Sequence, residues 1–121
     1  MAEKDPIIEA EAQMDYELAL NAVAEHAKSE GYQIAGGEKN LNAPYSLVFQ
    51  NASGYTAVKV TTTRAPEQPT YTTDHVRILR SFATQNNIGN CAMAPVSLIS
   101  AGAGPDGREG FYVKYNGLEL I

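Results

Sequence analysis

Between Asp5 and Glu30 apolar residues recur with the 3.6-residue period of a helix, and beyond Gly31 the pattern shortens to the alternation of strands. Asp5 and Pro6 read as the cap and first turn of that helix, with Glu9 and Glu11 near the positive end of its dipole. Gly31 supplies its stop. Ile8, Ala12, Tyr16, Ala19, Leu20, Val23 and Ala27 form one stripe, expected to face the core. Ile7, Met14 and Leu18 form a smaller stripe on another flank, more than docking on one sheet requires. Three apolar side chains in line predict either a contact surface for another chain or cover by the last strand or the N-terminal tail of the same chain.

Tyr32–Ala35 reads as a short strand ending at Gly36-Gly37, followed by a polar connection over Glu38–Ala43. The stretch Pro44–Arg64, PYSLVFQNASGYTAVKVTTTR, predicts a hairpin with strands Ser46–Gln50 and Tyr55–Thr63 around an Asn51–Gly54 turn. Alternation along the second strand puts Ala57, Lys59 and Thr61 on one face and Val58 and Val60 on the other. Pro66 and Pro69 make residues 64–71 a loop. Thr72, Thr73 or Asp74 then caps a second helix, with Val76, Ile78, Leu79, Phe82 and Ala83 as its apolar positions and an end near Asn87. Cys91–Ser100 reads as a buried strand interrupted by Pro95 at a bulge or sheet edge, Gly102–Gly110 as a glycine-rich turn and Phe111–Tyr115 as the last strand. The order α-β-β-β-α-β-β predicts an α/β fold, a mixed four- to five-stranded sheet flanked by two main helices.

A chain of 121 residues, with 44% hydrophobic and 19% charged positions, is expected to make one domain over residues 1–121. It offers no apolar run of membrane-spanning length and no secretory signal in MAEKDP, so no membrane association and a cytoplasmic, microbial setting are expected. The net charge of −5 is uneven: residues 1–30 carry eight acids against Lys4 and Lys28, and the rest is close to neutral. Phosphate backbones select concentrated Lys and Arg, so nucleic acid is not an expected partner.

Candidate chemistry is sparse. Gly102, Gly104 and Gly107 spell G-x-G-x-x-G, but Pro105 and the strand that follows deny the loop the helix a pyrophosphate site needs. His26 and His75 lie on different helices without zinc-ligand spacing, and no nucleophile elbow occurs. Cys91, the lone cysteine, reads as a buried small hydrophobe. Tyr45, Tyr55, Tyr71, Tyr112 and Tyr115 lack the interleaved basic residues of a base-stacking platform and read as core-edge residues.

Lys59 carries the one resemblance to a known family. The element order, and the run from Gly31-Tyr32-Gln33-Ile34 through Pro44-Tyr45 to Ala57-Val58-Lys59, resembles the restriction-endonuclease-like superfamily, which includes Holliday-junction-resolvase-like proteins. Those enzymes carry Pro-Asp followed by Asp/Glu-x-Lys on a central hairpin; the carboxylates hold Mg²⁺ and the lysine orients the attacking water. Here Tyr45 and Ala57 stand at the two carboxylate positions, Leu20 falls about where many relatives place a helical glutamate, and only Lys59 matches. The resemblance therefore implies a remnant site at Lys59, with no catalytic residue, cofactor or metal. The expected function is that of a non-catalytic nuclease-like domain acting as a binding or assembly module, with a homodimer or another protein as partner through Ile7, Met14 and Leu18. The alternatives are a Mg²⁺-dependent nuclease with carboxylates relocated around Lys59, such as Asp15 or Glu38, and a small-ligand regulatory module.

Overall fold

Alanine-rich sequence, a proline at its start and a glycine just past its end make the first helix. In the computed structural model, which describes residues 6–105, 107 and 109–121, it forms α1, Pro6–Ser29. Gly31, at φ +90°, turns the chain out of the helix, and Tyr32 N–H and Gly31 N–H close onto the carbonyls of Ala27 and Lys28. The strands follow as β1 (Gln33–Gly37), β2 (Leu47–Asn51) and β3 (Gly54–Arg64), then α2 (Thr73–Gln85), β4 (Asn90–Ala103), β5 (Glu109–Tyr115) and β6 (Glu119–Leu120). Among the described residues no helix is long and apolar enough to cross a membrane.

The sheet is mixed and runs β1-β2-β3-β4-β5, with β6 also pairing with β4. β3 and β4 are parallel and α2 is their crossover, while every other pair is antiparallel. Tyr16, Ala19, Leu20, Val23 and Ala27 of α1 cover one face, packing on Leu47, Phe49, Val58, Val60, Val96 and Leu98. Leu79 and Ala83 of α2 cover the other, over Ala57 and Met93. The alternation in β3 thus sets which residues meet which helix, as the sequence pattern implies.

Several expectations change. Ala12 is exposed rather than part of the core stripe, Ile78 is exposed on α2, and Cys91 is only partly buried against the α2 cluster. The side chains of Ile7 and Ile8 lie outside the described residues. β1 starts at Gln33 rather than Tyr32 and ends at Gly37, with Gly36 and Gly37 paired in it opposite Val48 and Leu47. β4 runs on to Ala103 through an irregularity between Ser100 and Gly102, so part of the expected glycine turn is strand. Pro95 sits in a central strand, not at an edge. β6 takes Ala92 and Met93, β5 takes Val96 onwards, and Pro95 falls in the gap between them, where its missing N–H leaves no ladder bond unmade.

Candidate functional site

Val58 and Val60 commit β3 to the α1 core, so Lys59 between them must leave on the opposite face. There β2 has ended, and the connection from Glu38 to Ser46 closes over the strand in its place: Ser46 N–H donates to the Val58 carbonyl (2.7 Å), and the Ser46 hydroxyl accepts from Val60 N–H (2.9 Å). Lys59 is 6% exposed. Its ammonium donates to the carbonyls of Leu41 (2.9 Å) and Ala43 (2.8 Å) and lies 5.7 Å from the centre of the Tyr16 ring. Burial pushes its pKa down.

The two carboxylate positions of the resemblance are filled by core. Tyr45 stacks flat on Phe82, ring centres 4.1 Å apart and 6° from parallel, and Ala57 is fully buried under α2. Leu20 belongs to the α1 core. Asp15 accepts both the Nε (2.8 Å) and Nη2 (3.0 Å) of Arg64, and Glu38 accepts the Asn40 N–H at 3.1 Å. Among the described residues no three or more His, Cys, Asp and Glu side chains gather as metal ligands would.

Lys59, Thr61, Tyr71, Thr72 and His75 line a cleft of about 310 Å³ at the start of α2. His75 sits in a reciprocal cap: its backbone N–H donates to the Thr72 hydroxyl, and its Nδ1 accepts the Thr72 N–H, both at 3.1 Å. Thr72 is thus the cap among the three candidates. Burial, with the nearby Lys59 charge, pushes the His75 pKa down against the pull of Asp74. His26 is remote from this cleft and meets Tyr115 edge-on. The G-x-G-x-x-G letters start at Gly102 inside β4 and run into the β4–β5 connection, with strand and no helix after them.

The stripe on α1 opens a second surface. Met14 (67% exposed) and Leu18 (40%) line a groove of about 710 Å³ whose far wall is Gly110 and Phe111 of β5, so the last long strand faces the stripe without covering it. Arg64 lies over the Phe111 ring, 4.6 Å from its centre, and ties the groove to Asp15. Ile7, the third member of the stripe, has no described side chain. Ile99, Tyr112 and Leu120 are also exposed, on β4, β5 and β6; Ile99 and Tyr112 alternate with Leu98 and Phe111 and so lie on the face of the sheet away from α1. Sequence reading missed them as a group. The cross-strand pairing of Ile99 with Tyr112 was the available signal, and it needs the β4–β5 register to be seen.

No curated protein and no solved structure matches this chain. A family model does, over residues 15–121, which takes in every element but the start of α1. The chain belongs to the family described as Domain of unknown function (DUF8840).

Proposed function

We propose that this chain is a nuclease-like domain without catalysis, an assembly module that pairs with a second copy of itself along the β5 edge of its sheet. The observation that carries this reading is the placing of exposed apolar side chains. Of the seven large ones among the described residues, five (Met14, Leu18, Ile99, Tyr112 and Leu120) flank the β5–β6 side of the sheet. Met14 and Leu18 lie on the α1 side of that edge and Ile99 and Tyr112 pair across β4 and β5, so exposed apolar surface borders the edge strand, a ready template for pairing. A two-fold axis normal to the sheet sets β5 antiparallel to its copy and keeps the two α1 helices on the same face. Met14 and Leu18 then approach their counterparts above the sheet, while Tyr112 meets its own below. Glu11 and Glu17 rim the groove, and the Arg64 charge beside Phe111 is held by Asp15.

Kinship with the restriction-endonuclease-like fold is supported by the order α-β-β-β-α-β with a parallel central pair. Loss of catalysis is supported by the core packing of Tyr45 and Ala57 and by the two carbonyls that engage Lys59. Sedimentation equilibrium is the test: the wild type is expected to be a dimer, and Leu18→Glu and Tyr112→Lys folded monomers. A monomeric wild type, or variants that stay dimeric, would remove the β5 edge from the account. Incubation with DNA and RNA in Mg²⁺ or Mn²⁺ is expected to leave both uncut. Cleavage that disappears in Lys59→Ala would establish the metal-dependent nuclease reading instead.

A further inference from the structure

The C-terminal end of α1, the end of β5 and the turn after it enclose a cavity of about 380 Å³, distinct from both surfaces above. Its size is that of a pocket for a small molecule. Two of its walls are aromatic rings, Tyr32 and Tyr115; the buried Phe49 (1% exposed) backs Tyr32 with ring centres 5.4 Å apart, and His26 and Tyr115 meet in a T-shape at 5.2 Å. We infer that this cavity binds an organic cation of the quaternary-ammonium class.

Ring faces carry the negative part of the aromatic quadrupole, so walls of this kind attract a cation. The fixed charge agrees. Glu30 is the one carboxylate in the lining, with His26 Nε2 3.7 Å from it; no lysine or arginine joins them, and the negative end of the α1 dipole lies at the same place. A quaternary ammonium suits such walls better than a primary amine, which is strongly hydrated and would need donors matched to acceptors. The site is built in advance. Phe49 is fixed in the core, and Tyr32 is held by its N–H bond to Ala27 (3.0 Å). Burial raises the Tyr115 phenol to about 12, so this wall stays neutral across the physiological range.

The test is a ¹H–¹⁵N NMR titration of the full chain with choline and, separately, with its neutral isostere 3,3-dimethylbutan-1-ol. Saturable shifts at the Tyr32, Tyr115 and Gly117 amides are expected with choline, and affinity about tenfold lower for the isostere. Glu30→Gln, a surface change that leaves the core intact, is expected to weaken choline severalfold, and Tyr115→Leu to abolish it. Tyr32→Leu serves if Tyr115→Leu does not fold. Absence of saturable shifts, equal affinity for the isostere, or variants that bind choline as the wild type does would overturn the inference. Because the readout is independent of oligomeric state, it stands or falls apart from the dimer.

Discussion

The connection between β1 and β2 is held by three side chains: Gln13 donates to the Lys39 carbonyl and accepts the Leu41 N–H, Tyr16 donates to the Glu38 carbonyl, and Lys59 supplies a charged donor. Lys59 reaches Leu41 and Ala43, 18 and 16 residues away, and those two carbonyls have no strand to turn to. Replacing it with methionine keeps the packing and leaves both oxygens without their charged donor. Lys59→Met is therefore expected to cost about 1–3 kcal/mol, read by urea unfolding, with faster hydrogen exchange over residues 40–44. Its pH signature opposes that of the tyrosines. The folded amine releases its proton below its ordinary value, so in the window between the two values stability rises with pH. Tyr115 does the reverse. The unfolded phenol ionises at 10.0 and the folded one at about 12, so its contribution is complete below pH 10 and is lost as pH climbs to 12. Alkaline unfolding followed by tyrosinate absorbance is expected to show a shallower loss of stability over that interval in Tyr115→Phe. The face from which Lys59 leaves β3 was legible from alternation. Its partners were not, because they are backbone carbonyls in a stretch with no periodic pattern.

Of the two helices, α2 hangs on fewer side chains, with Leu79 and Ala83 as its fully covered residues. Leu79→Ala opens a cavity over Ala57 and Met93 and is expected to cost about 2–5 kcal/mol. Thr72→Ala removes one side of the reciprocal cap and is expected to cost about 1 kcal/mol, since His75 keeps its own half. Urea melts followed by circular dichroism separate the two, and equal losses would mean that the cap does more than hold the first turn. Both helices, the hairpin and the alternation in β3 were legible because each rests on local signals: a cap, a period, a turn at Asn51. What escaped was set by pairing. β4 continues past Ser100 because Phe111, Gly110 and Glu109 lie opposite its extension, and β6 exists because the tail returns to Ala92 and Met93. Pro95 looked like an edge residue, and only the arrangement of two partners along one strand makes room for it. At the candidate site the same limit applied: Tyr45 was legible as a departure from a motif, but its stacking on Phe82 depends on where the crossover helix lands.

On the scale of the molecule, groups of exposed charges of opposite sign lie on opposite sides of the sheet. The exposed acids Glu11, Glu17 and Glu25 lie along α1, whereas Arg77 and Arg80 lie on the outer side of α2, across the sheet. A dimer through the β5 edge would leave Arg77 and Arg80 facing solvent and bring Glu11 and Glu17 to the rim of the interface. The parallel junction of β3 with β4 has a further consequence, in time rather than in space. The α1 helix and the β1–β3 meander close through contacts near in sequence, but nine register pairs from Thr56↔Asn90 to Arg64↔Leu98 await the return of the chain through α2. Loop closure precedes any reward from those pairs, which makes this junction the slow step of folding. Pulse-labelling hydrogen exchange during refolding is expected to protect the β2 and β3 amides that face each other before those of β4. Simultaneous protection would mean that the meander has no life of its own, and that the chain becomes a sheet only when its two halves meet.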